Sequence, residues 1–165
     1  MKDYNFTPKD IERFWSKVQK RDDCWEWTAS VNNHGRYGQF KVFRDGKHMT
    51  YIAHRMSYVM EHGLIPDGME LDHVCHNRRC VNPGHLRTVT HKQNQENFTG
   101  AFRTSKSGMR GVYFNAGKKR WYVQVTHNGV VNCRGTFATA AEAEVVAVEL
   151  RNKLFTHNDA DRIAA

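Results

Sequence analysis

The sequence predicts an α+β fold with two small domains in 165 residues, and three observations predict it. A strand, an irregular loop, a second strand and a helix follow one another over residues 71–94, a ββα order. A polar, glycine- and serine-containing stretch at 99–108 is typical of a linker. Beyond it, three strand-like runs precede one helix-like run. We therefore predict a first domain at 1–98, a second at 109–156 and a polar, frayed tail at 157–165.

The first domain is predicted to begin with a helix. Thr7 can accept a hydrogen bond as the N-cap, and Pro8 suits the first helical turn, where no backbone donor is needed. Apolar residues then recur at helical spacing as far as Val18. We expect this helix to serve packing alone.

Strands and two further helices follow in the first domain. Alternating apolar and polar residues predict strands, which lie at 24–28, 37–43, 47–52, 70–74 and 86–89. Asp45-Gly46 is a strong hairpin signal between two of them. Helices are predicted at 53–62, where Gly63 can end the helix, and from Thr90 to about residue 98.

The second domain is predicted to contain three strands followed by one helix. Strands are predicted at 111–114, 120–126 and 130–137, and Asn128-Gly129 between the last two is typical of a type I′ turn. Thr139 with Glu142 three residues on forms a capping box for a helix that ends near residue 155. Three antiparallel strands and one helix make a minimal α+β unit.

Charge indicates a polyanionic partner. The chain carries a net charge of +8, and no Asp or Glu lies between Glu96 and Glu142, where cationic and aromatic residues alternate. This region is expected to bind nucleic acid, although a solvated basic surface would show the same composition. The absence of a signal peptide and of a long apolar run indicates an intracellular protein, and neither secretion nor a membrane span is expected.

One loop carries ligands for a soft metal. Cys75, Cys80 and His85 are spaced five apart, and Cys24 on the first predicted strand is the natural fourth ligand. Three thiolates and an imidazole suit tetrahedral zinc, one ion per chain, which would help a small core to fold. Cys133 is expected to be a buried apolar residue. Two disulfides, or free buried cysteines, are the alternatives.

A second set of residues has oxygen ligands and a base. Asp72 and Asn94 suit Mg²⁺ or Mn²⁺, and a neutral His73 suits a general base. Neighbouring residues on a strand point to opposite faces, so spacing alone does not bring Asp72 and His73 to one cation. His91 and Asn97 are alternative ligands.

These residues resemble the zinc-stabilised branch of the HNH endonucleases (His-Me finger, ββα-metal), which includes homing endonucleases. The resemblance covers roughly residues 24–98 and rests on Asp72-His73-x-Cys75-x4-Cys80-x-Asn82-Pro83-x-His85-Leu86 followed by Asn94. It implies that His73 is the general base and that Asp72 and Asn94 hold the catalytic cation. It also implies zinc on Cys24, Cys75, Cys80 and His85, and cleavage to 5′-phosphate and 3′-hydroxyl ends.

The second domain resembles the AP2/ERF-type DNA-binding fold. The resemblance rests on short motifs: Ser107-Gly108-x-x-Gly111-Val112, Lys119-Arg120-Trp121, Gly135-Thr136-Phe137 and Thr139-Ala140-x-Glu142-Ala143. In that family the sheet lies in the major groove, which implies DNA contacts from Arg110, Tyr113, Lys119, Arg120, Tyr122, Gln124 and Arg134. In the first domain, Arg78 and Arg79 are expected either to contact the DNA backbone or to lie on a solvated loop.

Together these patterns predict a site-specific endonuclease of homing or phage-borne type that hydrolyses double-stranded DNA. A DNA-binding regulator with a catalytically silent HNH fold and a restriction-like HNH nuclease are the alternatives. One active site per chain cuts one strand, so we expect a monomer or a DNA-induced homodimer, located in the cytoplasm and possibly encoded by a phage.

Overall fold

The computed structural model describes residues 4–33, 36–101, 103 and 105–163, and it divides into two compact units, Met1–His91 and Lys92–Ala165. The division falls earlier than the predicted linker at 99–108. The helices are α1 (Pro8–Trp15), α2 (Ala53–His62), α3 (His91–Glu96), α4 (Ala140–Leu154) and α5 (Asp159–Ile163). The strands are β1 (Val18–Lys20), β2 (Trp25–Trp27), β3 (Gln39–Arg44), β4 (Lys47–Ile52), β5 (Glu70–His73), β6 (Leu86–Val89), β7 (Val112–Asn115), β8 (Arg120–His127) and β9 (Val130–Phe137).

Helix α1 begins as predicted but ends earlier. The Thr7 side chain accepts from the Asp10 backbone N–H, and the Asp10 carboxylate accepts from Thr7, which completes a capping box. The helix ends at Trp15, and Val18 pairs with Trp27 in the β1–β2 ladder. The prediction that the helix reaches Val18 is therefore wrong, because strand pairing overrides the helical spacing at that point.

Strands β3 and β4 have six residues each and form an antiparallel hairpin. Helix α2 follows directly with the predicted bounds. The hairpin buries Phe40, Val42 and Tyr51 in a core that also contains Phe14, Trp27, Ala53, Met56 and Val81. A Cβ built on Gly38 would lie 2.6 Å from Trp27 Cδ1 and 2.9 Å from Ala53 Cβ. Close packing of β2 against the start of α2 therefore requires glycine at this position.

Strands β5 and β6 form the predicted central hairpin. Asp72 pairs with Arg87, and His73 pairs with Leu86. The connecting loop lies against β2, because Trp27 N–H donates to the Arg79 carbonyl and Val81 N–H donates to the Trp25 carbonyl. This pairing brings the residues that precede β2 to the loop between β5 and β6.

The second unit has the predicted sheet and helix. Strands β7, β8 and β9 are antiparallel in that order, and α4 packs on one face around Val112, Val123, Val125, Ala143, Ala147, Leu150 and Phe155. Asn128 and Gly129 have φ of 51° and 76°, the positive values that a type I′ turn needs. Thr139 caps α4 as predicted, by accepting from Glu142 N–H, but the Glu142 carboxylate accepts from Ala138 N–H instead of closing the predicted capping box on Thr139. Among the described residues, no helix is long and apolar enough to cross a membrane.

The prediction of a frayed tail is wrong for residues 157–163. Helix α5 forms there, Asn158 is buried, and the Arg151 guanidinium contacts both carboxylate oxygens of Asp161 at 2.6 and 2.9 Å. These polar residues are ordered by partners within the second unit, which composition alone does not reveal.

Candidate active site and metal centre

Cys24, Cys75, Cys80 and His85 form a compact cluster in the first unit. Their candidate ligand atoms all lie within 4.8 Å of one another. The His85 Nδ1 atom lies 3.7 Å from the Sγ atoms of both Cys24 and Cys80. The prediction that these four residues converge is confirmed.

Backbone and side-chain bonds between β2 and the loop hold this cluster together. The Asn82 amide donates to the Asp23 carbonyl at 3.1 Å, and the Asn77 amide donates to the Glu26 carboxylate at 2.8 Å. Asn82 N–H also points at the Cys80 sulfur, at 3.4 Å. Cys24 therefore reaches the loop because the segment around β2 is tied to it at several points.

The donor set fits zinc. Burial raises the pKa of the Cys24 thiol, and the hydrogen bond with Cys80 raises that of Cys75. The hydrogen bond between Cys75 and Cys80 lowers the pKa of the Cys80 thiol. A zinc ion at the cluster would supply the positive charge that lets all three bind as thiolates.

The orientation of His85 also fits a metal ligand. Its Nε2 atom lies 3.4 Å from the Asp23 carboxylate, which favours a proton on Nε2 and leaves the Nδ1 lone pair facing the thiols. The four cysteines are free, so no disulfide forms. Cys133 is exposed on β9, so the prediction that it is a buried apolar residue is wrong.

His73 is 6% exposed, and a residue of the loop between β5 and β6 fixes its ring. Its Nε2 atom lies 3.0 Å from the Cys80 carbonyl oxygen, which can only accept a hydrogen bond. The proton of a neutral His73 is therefore on Nε2, and the Nδ1 lone pair is left to accept a proton. Burial, ahead of the neighbouring charges, lowers the pKa of His73 and favours the neutral form that a general base needs.

Two rings that the sequence did not associate with His73 pack against it. The His54 ring, on α2, meets the His73 ring edge-on with centroids 4.7 Å apart. Tyr37 stacks on His73 at 6.1 Å and contacts His54 at 5.0 Å. His54 is buried and its pKa is lowered by burial and then by His73 and Arg55, so two neutral imidazoles share this pocket.

Asp72 is buried beside His73 and already has a cationic neighbour. The Arg87 Nε and Nη2 atoms donate to Asp72 Oδ2 at 3.0 and 2.9 Å. The two residues face each other across the β5–β6 ladder. Arg87 is not among the predicted site residues, although pairing the two predicted strands in the correct register would have placed it opposite Asp72.

The candidate ligands on and near α3 differ in their surroundings. Asn94 lies on α3 within the second unit, so its convergence with Asp72 and His73 stays a prediction. His91 Nδ1 lies 2.8 Å from Glu70 Oε1. Asn97 is buried, and its Oδ1 accepts from Asp159 N–H, which makes it a structural group.

The predicted DNA-contacting residues of the second unit fall into two groups. Tyr113, Tyr122, Gln124 and Arg120 alternate onto the sheet face opposite α4, with the tyrosine rings stacked at 5.5 Å. Lys119 and Arg134 are exposed, Lys119 in the turn before β8 and Arg134 at the β-bulge, where it pairs with Val123 of the face that packs on α4. Arg110 instead donates to the carbonyls of Gln95, Glu96 and Phe98, so its donors serve packing.

The two arginines of the loop between β5 and β6 also differ in their surroundings. Arg79 donates twice to the Trp27 carbonyl and lies 3.3 Å from Glu26, so it holds the loop to β2. Arg78 is exposed and lies over the Tyr37 ring at 5.9 Å. Arg78 therefore remains a candidate for DNA contact, whereas the structure gives Arg79 a structural role.

Comparison with known proteins identifies one domain and several relatives. A family model described as HNH endonuclease matches residues 51–96. Protein 7.7 of Escherichia phage T7 is 40% identical over 85 residues, 52% of this chain and 62% of that protein. Protein 2.8 of phage T7 is 37% identical over 83 residues, 50% of this chain and 54% of that protein.

A third relative is matched over more of its length. The uncharacterised gene 5.3 protein of Enterobacteria phage T3 is 37% identical over 68 residues, 40% of this chain and 67% of that protein. This chain thus spans less than two thirds of the two phage T7 relatives. No solved structure matches it.

Proposed function

Since the chain contains an HNH endonuclease domain and belongs to one family with the gene 5.3 protein of Enterobacteria phage T3, we propose that it is a DNA endonuclease. The observation that carries the proposal is the burial of His73 and the hydrogen bond that fixes its tautomer. A buried histidine held by a carbonyl on Nε2, with Nδ1 left as the acceptor, suits a general base next to a candidate metal ligand.

In the proposed reaction, His73 Nδ1 removes a proton from a water molecule. The water oxygen attacks phosphorus, and the bond from phosphorus to the 3′ oxygen breaks. The 3′ oxygen takes a proton from solvent, so the products are a 5′-phosphate and a 3′-hydroxyl. Asp72 and Asn94 would hold Mg²⁺ or Mn²⁺, and the cation would supply Lewis acidity to the phosphate and the leaving oxygen. The Cys80 carbonyl keeps His73 in the required tautomer throughout.

Arg87 gives Asp72 a second role in this proposal. The guanidinium neutralises the buried Asp72 carboxylate through Oδ2 when no cation is present. A divalent cation held by Asp72 would share the carboxylate with Arg87 or replace Arg87 as its partner. Asp72 would therefore face a cation in either state.

Zinc at Cys24, Cys75, Cys80 and His85 acts on the site indirectly. Cys80 provides both a ligand sulfur and the carbonyl that orients His73. A metal that fixes the loop between β5 and β6 would therefore also fix the position of His73. We propose one structural zinc per chain on this ground.

The second unit is proposed to bind duplex DNA through its open sheet face, as the AP2-type resemblance implies. Exposed Arg120 and Lys119 supply charge, and Tyr122 and Gln124 supply groups that contact base edges. Homing-type site selectivity would follow from this face. The chain would act as a monomer or a DNA-induced dimer in the cytoplasm of a phage-infected cell.

Nicking of supercoiled plasmid tests the nuclease function. We expect Mg²⁺- or Mn²⁺-dependent relaxation, loss of activity in EDTA, and ends that DNA ligase reseals because they carry 5′-phosphate and 3′-hydroxyl groups. The Asp72→Ala variant should lose the metal-dependent nicking. Protein that binds DNA tightly but never nicks it with either metal would instead indicate a silent HNH regulator.

A further inference from the structure

The β3–β4 hairpin has an exposed face that neither the zinc cluster nor the catalytic residues use. Lys41, Phe43 and His48 alternate onto this face, opposite the buried Phe40 and Val42. Phe43 is 62% exposed, although it is a large apolar residue. Its ring packs on the exposed His48 ring with centroids 4.9 Å apart. An exposed aromatic pair on a strand face is a feature of binding surfaces.

The charge of the hairpin indicates the kind of partner. Between residues 27 and 60 the chain has five cationic side chains, Arg36, Lys41, Arg44, Lys47 and Arg55, and one acidic residue, Asp45. Lys41 and Lys47 are exposed on the hairpin itself. A basic ribbon with exposed aromatic rings is complementary to a polyanion that also offers apolar contacts, and duplex DNA is such a partner.

The hairpin is rigid enough to hold a fixed position. Arg13 on α1 donates to the Lys41 carbonyl at 2.8 Å and lies over the Phe40 ring at 4.4 Å. At the tip, Arg44 pairs with Asp10 at 3.1 Å. The neighbouring arginines and Thr7 lower the pKa of Asp10 to about 2 despite the opposing effect of its burial, so this brace persists at neutral pH.

The hairpin starts at the candidate active site. Tyr37, which stacks on His73, precedes β3 by two residues, and β4 continues directly into α2, where His54 contacts His73. Six residues of strand extend roughly 20 Å, and base pairs are stacked about 3.4 Å apart. The hairpin therefore reaches about six base pairs from the phosphate that His73 faces.

From these observations we propose that the β3–β4 hairpin is a second DNA-contacting surface, which docks on the duplex to one side of the cleavage site. A two-stranded ribbon fits the major groove, which is about 12 Å wide. Lys41 binds a phosphate, and Phe43 with His48 contacts the groove. This proposal rests on the proposed nuclease function, because it takes the DNA at the active site as its starting point.

Salt-dependent binding tests the charge contact. Affinity for duplex DNA is measured at several salt concentrations for the Lys41→Ala variant and for Lys153→Ala, which removes an exposed lysine from α4. Loss of one phosphate contact should reduce the slope of log K against log salt by about 0.9 in Lys41→Ala and leave it unchanged in Lys153→Ala. Equal slopes in Lys41→Ala and the parent protein would contradict the proposal.

Photo-crosslinking tests the position. Phe43 is replaced by p-benzoylphenylalanine, and Leu64, which is 64% exposed in the same unit, is replaced likewise as the control. On a duplex that contains a mapped nick site, the probe at position 43 should crosslink within about six base pairs on one side of the nick. If the parent protein nicks the duplex but the variant with the probe at position 43 gives no crosslink, the hairpin proposal alone is overturned. Parent protein that neither binds nor nicks duplex DNA overturns the nuclease function, and this proposal with it.

Discussion

Removal of zinc should unfold the first unit and leave the second unit folded. Structural zinc sites of this donor type contribute roughly 10 kcal/mol or more, which is as large as the whole stability of a small domain, about 5–15 kcal/mol. Cys24 and Cys80 come from segments that are far apart in sequence, so loss of the metal also releases the loop from β2. The second unit has its own core around Val123 and Leu150 and no cluster residue.

The assay is thermal unfolding with and without a zinc chelator, together with elemental analysis. We expect one zinc per chain in the parent protein and loss of one unfolding transition after chelation. The Cys24→Ser variant should behave like chelated protein. Cys133→Ser is the matched control, because Cys133 is exposed and lies outside the cluster, and it should keep both the zinc and the transition. An unchanged melting profile after complete removal of zinc would refute the reasoning.

Four other substitutions have distinct expected results. Gly38→Ala should destabilise the first unit by about 1–3 kcal/mol in thermal unfolding, because its Cβ would lie 2.6 Å from Trp27, and an unchanged melting temperature would contradict this packing. Arg110→Ala should destabilise the second unit without changing the salt dependence of DNA binding. Arg120→Ala should reduce that salt dependence. The opposite result for the two variants would contradict the packing role of Arg110 and the DNA-contacting role of Arg120. Asp161→Asn should destabilise the second unit at neutral pH. Burial opposes ionisation of Asp161, but the Arg151 and Asn158 hydrogen bonds prevail and lower its pKa below 3.8. The stability that Asp161 contributes is therefore present above this pH and lost as pH falls through the lowered pKa, so denaturant titrations should show parent and variant converging in strong acid.

Local sequence patterns predicted most of the elements and the metal cluster. Helix ends and turns depend on the backbone geometry of a few neighbouring residues. The sequence therefore predicts the helix start at Thr7, the helix end at Gly63 and the turn at Asn128-Gly129. The cluster could be predicted because three of its ligands lie in one loop. Strand β1 was missed because its partner, β2, decides its conformation.

The surroundings of the candidate catalytic residues depend on tertiary packing. The contact of His54 with His73 arises from the packing of α2 on the central hairpin, and no spacing rule connects the two residues. Arg79 and Arg110 looked like DNA-binding cations, but backbone carbonyls that only the fold brings near use their donors. Cationic residues in a basic sequence therefore divide into packing and contact groups only when the carbonyls around them are known.

The most direct test of the catalytic account is single-turnover nicking by the His73→Ala variant in Mg²⁺. We expect a loss of at least about 100-fold in rate with DNA affinity, zinc content and melting temperature nearly unchanged, because His73 is proposed to act as a base. His62→Ala, which removes an exposed histidine at the end of α2, should nick like the parent protein. A His73→Ala variant that is folded, binds DNA and nicks at the parent rate would contradict the account.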